Sequence, residues 1–127
     1  MTQPYDQNRL PPIPVLNVWL AVPDSNDWHG PFPAIVDSGA DLTIVPLGVL
    51  SHLAAPYLKR AVLRSQWEER QVVFLHEIDL KIGDLVLPGI DVAGDDISHD
   101  LLLGRNALNR LDLRLEDPKL RTHILDG

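Results

Sequence analysis

The 127-residue chain contains no cysteine, which removes disulfides, thiolate catalysis and thiolate metal sites at once. That absence does not fix a compartment, but it gives no support for a disulfide-stapled secreted scaffold. Positive charge is also scarce: 11 Lys and Arg face 18 Asp and Glu, for a net charge of −7. No basic stripe emerges, so no nucleic-acid partner is expected, and an anionic membrane surface is disfavoured. No apolar run approaches the length needed to span a bilayer. Pro11, Pro12, Pro14 and Asn17 break the early apolar residues, so the N-terminus does not read as a signal peptide, and the expected location is the cytoplasm. There is no glycine-rich phosphate loop. The histidines His29, His52, His76, His99 and His123 are scattered, and His76-Glu77 has Leu80 where a zinc helix would need its second histidine. No metal and no cofactor is expected.

What is present is the composition of an ordinary soluble globular chain, 45% apolar and 23% charged. Its length suits one domain with its own core. Eleven prolines favour strands and turns over long helices. Residues 1–12, polar and proline-rich, read as a mobile or extended arm, and residues 13–127 as the folded domain. Strands are expected at 13–22, 32–36 and 42–45, then a short helix at 47–53 opened by Pro46. A hairpin follows, 57–64 and 71–82 around a tip at 65–69. Its second strand alternates at Val73, Leu75, Ile78, Leu80 and Ile82 with one slip near His76. Gly83-Asp84 marks a turn into a short strand at 85–92, and 93–99 reads as an acidic loop. A buried strand at 101–103 leads into a short helix ending near Leu111. The tail, Leu111, Leu113, Leu115 and then Leu120, Thr122, Ile124, has the pattern of a last hairpin. The sum is an all-β chain with one or two short helices.

Residues 34–46 carry the most information: Ala-Ile-Val-Asp-Ser-Gly-Ala-Asp-Leu-Thr-Ile-Val-Pro. An apolar run enters Asp37, Ser38, Gly39 and Ala40, and another leaves. A carboxylate between two buried strands loses solvation unless something uses or satisfies it. The small residues beside it admit another backbone or a water. The combination points to a carboxylate held for chemistry in a tight turn; an aspartate that only caps the turn is the alternative.

The segment Ile35-Val36-Asp37-Ser38-Gly39-Ala40 resembles the active-site turn of the single-domain, retropepsin-like aspartic proteases. Leu102-Leu103-Gly104-Arg105-Asn106-Ala107-Leu108 resembles that family's second element, an apolar pair followed by glycine and a short helix. Asp-Ser-Gly alone is a weak signal. The two elements in this order and at this separation are a much stronger one, and the resemblance spans about residues 13–125. It implies a small closed acid-protease barrel and peptide-bond hydrolysis by water held between two carboxylates. One carboxylate takes a proton as the water attacks; the other, protonated, steadies the oxyanion. Like charges so close cannot both ionise, so such a pair shares one proton.

The chain has one Asp-Ser-Gly; neither Gly83-Asp84 nor Gly94-Asp95-Asp96 follows the right apolar run. The resemblance therefore implies a homodimer in which each subunit brings Asp37 to a two-fold axis. By the same resemblance, Ser38 would hydrogen-bond across that axis and Gly39 would present backbone to water and substrate. Asp41 would bind substrate backbone and pair with Arg105, and Gly104 would let the chain pass close beside the turn. An extended peptide would add as a strand beneath a hairpin flap. The predicted tip, 65–70, contains no glycine, unlike glycine-rich retroviral flaps, which makes Trp67 a candidate cover over the cleft.

Other readings stand beside these. Asp41 also reads as a solvated ion-pair residue, and Trp67 as a hairpin aromatic or core anchor. Asp95, Asp96, His99 and Asp100 read as a solvated acidic loop rather than a metal site. A non-catalytic dimeric peptide-binding or assembly module of the same fold is the second functional reading. A monomeric barrel holding a small ligand is the third.

Overall fold

In the computed structural model, residues 1–64, 70–96 and 99–125 are described. The chain runs β1 (Thr2–Pro4), β2 (Val15–Ala21), β3 (His29–Val36), β4 (Thr43–Pro46), α1 (Leu47–Leu53), β5 (Tyr57–Arg64), β6 (Arg70–Ile82), β7 (Leu85–Asp95), β8 (Leu101–Leu103), α2 (Arg105–Leu108), β9 (Leu113–Glu116) and β10 (Arg121–Ile124). A 3₁₀ turn at 117–119 joins the last two strands. The larger sheet is ordered β2-β3-β8-β4-β7-β6-β5, and β2 also pairs with β6. That pairing closes six strands into a barrel and leaves β5 outside as the partner of β6. The all-β barrel with two short helices is the architecture read from the sequence.

Alternation fills the barrel. Leu16, Val18 and Leu20 of β2, Ile78, Leu80 and Ile82 of β6, and Ile90 and Val92 of β7 point inward and are at most 2% exposed. Each such side chain contributes about 1.5–3 kcal/mol of burial. Leu50 and Leu53 of α1 and Ala107 and Leu108 of α2 plug the same core. Pro46 caps α1 with extended dihedrals, and Ala54, left-handed at φ 56°, ends it before Pro56.

The slip expected near His76 is a change of buried face along β6, not an extra residue in that strand; the bulge at this level belongs to β5. Tyr57 pairs with His76 and Lys59 with Leu75, so one extra residue of β5 bulges at that level. Beyond it, Ile78, Leu80 and Ile82 join the barrel core, while Val73 and Leu75 join a second cluster with Ala93.

Several expectations shift: β3 begins at His29 rather than at 32, through its pairing with β2, and α2 ends at Leu108 rather than near Leu111. Strand β7 extends to Asp95 rather than ending at Val92, because residues 92–95 find parallel partners in 43–46 of β4. The arm is extended but tied down: β1 pairs antiparallel with β10, Tyr5 is buried, and Arg9 reaches Asp100 at 2.7 Å. Strands β1, β10 and β9 form a separate three-stranded sheet.

Candidate active site

The centre of the site is the turn between β3 and β4. Asp37 follows the end of β3, and its N–H donates to the Leu103 carbonyl of β8 at 3.1 Å. That bond fixes the carboxylate against the parallel β3–β8 pair. Asp37 is half-buried. The Gly39 N–H donates to its Oδ1 at 2.9 Å, and the Ala40 N–H to its carbonyl at 3.3 Å. The turn thus folds back on its own aspartate and presents Ser38 and Gly39 outward, both exposed.

The second sequence element clamps this turn from behind. The Arg105 N–H donates to the Ala40 carbonyl at 2.8 Å and the Asn106 N–H to the Asp41 carbonyl at 3.3 Å. The Arg105 guanidinium donates to the Ser38 carbonyl at 3.1 Å through Nη1 and pairs with Asp41 through Nη2. One arginine therefore ties both flanks of the turn. The geometry suits its planar fork, which a lysine lacks. The pair is solvent-facing, with side chains 70% and 47% exposed, so it orients the turn more than it stabilises the fold.

Gly104 packs directly on the backbone of Leu42; a Cβ there would stand 2.3 Å from the Leu42 carbonyl oxygen.

Two polar residues that sequence reasoning gave no role complete the clamp. Thr43 is fully buried, yet its Oγ1 donates to Asn106 Oδ1 at 2.9 Å and accepts from the Gly104 N–H at 3.2 Å. The Thr43 N–H also donates to Asn106 Oδ1 at 2.9 Å, and Asn106 Nδ2 donates to the Asp91 carbonyl at 2.7 Å. A buried polar group stays inexpensive only when its hydrogen bonds are made. The available signal was a lone threonine among Leu42, Ile44 and Val45.

The structure thus brings Asp37, Ser38, Gly39, Ala40, Asp41, Gly104 and Arg105 into one constellation. Trp67 and the tip at 65–69 lie outside the described residues. Among the described residues, no group of three or more His, Cys, Asp or Glu side chains is placed to hold a metal ion.

Register builds an apolar floor beside the carboxylate. Val15 opposes Ile35, Ile35 opposes Leu102, Leu102 opposes Ile44, Ile44 opposes Ala93, and Ala93 opposes Leu75. Directly paired residues share a face, so these six form one row across six strands. The row lies on the sheet face opposite the barrel core, because its neighbours Ala34, Leu103, Val45 and Val92 are core residues. Asp37, two residues after Ile35, continues the same face. Ile35, Ile44 and Leu102 are only half-buried, which leaves apolar surface next to the aspartate.

No protein-family model matches the chain, and no curated protein matches its sequence. Solved structures do match. A retropepsin-like aspartic protease from Rickettsia conorii superposes with a TM-score of 0.67 at 14% identity, covering 98% of this chain and 88% of that one. The EIAV protease in complex with an inhibitor gives 0.57 at 18%, covering 77% and 86%. The retroviral protease-like domain of Ddi1 from Leishmania major gives 0.51 at 17%, covering 90% and 96%. Likeness at such identities speaks to architecture alone, and it agrees with the closed barrel. The chain has the fold of the retropepsin-like aspartic proteases.

Proposed function

We propose that this protein is an aspartic endopeptidase that acts as a homodimer, hydrolysing peptide bonds with a water activated between two Asp37 carboxylates. The observation that carries the reading is the half-buried Asp37, hydrogen-bonded by Gly39 and held in a turn clamped by Arg105 and Asn106, on a retropepsin-like barrel. The chain supplies one such aspartate, so the second comes from an identical subunit. Residues 13–127 form the protease domain, with residues 1–12 as its extended arm. Ser38 links the two turns across the axis, Gly39 offers backbone to the water, and Asp41 meets substrate backbone while Arg105 holds it. Trp67, in the tip outside the described residues, is the candidate cover over the cleft that the resemblance offers.

The substrate is an extended peptide bound as an added strand. The half-buried Ile35, Ile44 and Leu102 favour apolar side chains beside the cleaved bond. No helix among the described residues is long and apolar enough to cross a membrane; a cytoplasmic site of action is part of the proposal. A second reading, a non-catalytic dimeric peptide-binding module, draws on the absence of glycine from residues 65–70.

Hydrolysis of an unstructured protein over pH 3–8, with intact masses and sedimentation recorded, separates the two. Cleavage by wild type and not by Asp37→Asn, with an acidic optimum, supports the protease. A folded dimer that binds peptide and cleaves nothing supports the module.

A further inference from the structure

The three-stranded sheet holds a hydroxyl, an imidazole and a carboxylate in line, remote in sequence from the Asp37 turn. Thr2 of β1 and His123 of β10 are cross-strand partners, and Thr2 Oγ1 lies 2.8 Å from His123 Nδ1. His123 Nε2 lies 2.9 Å from Glu116 Oε2 of β9.

For a neutral His123 ring, the ionised Glu116 sets the direction of this chain. Arg121 donates to the other Glu116 oxygen at 2.7 Å, with Lys119 Nζ 3.3 Å from that oxygen and Arg114 3.6 Å from Oε2. Hydrogen bonds from Arg121 first, then from His123 and Lys119, hold the carboxyl down to about 2, so it is ionised and only accepts. His123 Nε2 must then carry the hydrogen. In the neutral imidazole Nδ1 is left as the acceptor, and the Thr2 hydroxyl must donate to it. That is the polarity in which an imidazole withdraws a proton from a hydroxyl nucleophile.

Burial is graded in the same sense. The side chains of Glu116 and His123 are 15% and 20% exposed, whereas Thr2 is exposed, so the relay is shielded and its nucleophile meets solvent. Met1 and Ile124 exchange main-chain bonds at 3.2 and 2.8 Å, which makes Thr2–His123 the non-hydrogen-bonded pair. The Thr2 N–H therefore points away from β10, on the far side of the edge strand β1. There it is placed to donate to an oxyanion formed on its own side chain.

We propose that Thr2, His123 and Glu116 form a second reactive centre, in which the Thr2 hydroxyl takes an acyl group from an activated ester. Thr2 Oγ1 bonds to the ester carbonyl carbon as its proton passes to His123 Nδ1. The tetrahedral adduct collapses, the bond from that carbon to the leaving oxygen breaks, and the leaving group departs as an alcohol carrying the proton from His123. The products are an acyl-Thr2 ester and one alcohol.

The test is acetylation by p-nitrophenyl acetate at neutral pH, followed by intact mass and peptide mapping. The expected result is acetyl-Thr2 in wild type and equally in Asp37→Asn, which separates this centre from the proposed protease site. It should be absent in Thr2→Val, retained in Thr2→Ser and slowed roughly 100-fold in His123→Gln and Glu116→Gln. Urea-unfolded wild type serves as a control independent of variant folding and should lose the reaction as well. Acetyl groups confined to lysines, the amino terminus or His123 would overturn the proposal, as would Thr2 labelling equal in folded and unfolded protein.

Discussion

Gly104 and Leu42 touch backbone to backbone: the space a Cβ would need at Gly104 is filled by the Leu42 carbonyl, 2.3 Å from its ideal position. The φ of Gly104 is −90°, a value any residue adopts, so the requirement for glycine there is purely steric. Main chain, unlike a flexible side chain, cannot yield. Gly104→Ala is expected to destabilise by about 3 kcal/mol or more, or to prevent folding. Urea denaturation against wild type measures this, and an unchanged midpoint would contradict the packing described.

Arg105 should separate activity from stability. Its guanidinium holds the Ser38 carbonyl and the Asp41 carboxylate at an exposed surface. Arg105→Gln is expected to change stability by less than about 1 kcal/mol. It should lower peptidase activity roughly 10- to 100-fold, because a small displacement of the aspartate turn spoils the attack geometry. Melting temperature and kcat/KM on one peptide check both halves.

Substrate preference should respond to the apolar row. Leu102 lies directly between Ile35 and Ile44 on the face that carries Asp37. Leu102→Ala is expected to cut kcat/KM roughly ten-fold or more for peptides with leucine beside the cleaved bond. Larger aromatic residues there should be less affected. Cleavage-site profiling by mass spectrometry of a peptide mixture reads the shift; an identical profile would remove Leu102 from the substrate cleft.

Glu116 and Tyr5 set opposite pH limits on the same small sheet. The Glu116 carboxyl is lowered from 4.5 to about 2, chiefly by Arg121 and then His123. A lowered folded value means stability present above pH 4.5 and lost as pH falls toward 2. The Tyr5 phenol is raised from 10.0 to about 12 by burial and by its 2.5 Å bond to Asp117. A raised value means stability present below pH 10 and lost as pH rises toward 12. Urea titrations from pH 2 to 6 should show Glu116→Gln with a flatter acid limb than wild type. Tyr5→Phe should flatten the alkaline limb between pH 10 and 12.

Short-range patterns were legible. The strand from Tyr57 to Arg64 and the helix from Leu47 to Leu53 have the bounds expected from alternation and proline placement. The extension of β7 through Asp95 was not legible, because its acidic end is held by main-chain pairing with β4 and no local signal reports a distant partner. The tethering of the N-terminal arm was hidden for the same reason: Thr2–Pro4 is polar and proline-bearing, and only β10 makes it a strand.

The candidate site divides along the same line. The residue types, one carboxylate among small residues and a glycine-arginine pair far downstream, stand in the sequence itself, since motifs are local. Tertiary structure alone decided that Arg105 grips both flanks of the turn and that Thr43 is satisfied by Asn106. It alone aligned Ile35, Leu102 and Ile44 into one apolar row beside Asp37. Those relations depend on strand register and on contacts between residues roughly sixty positions apart, which are set by closing the barrel and not by any stretch of chain.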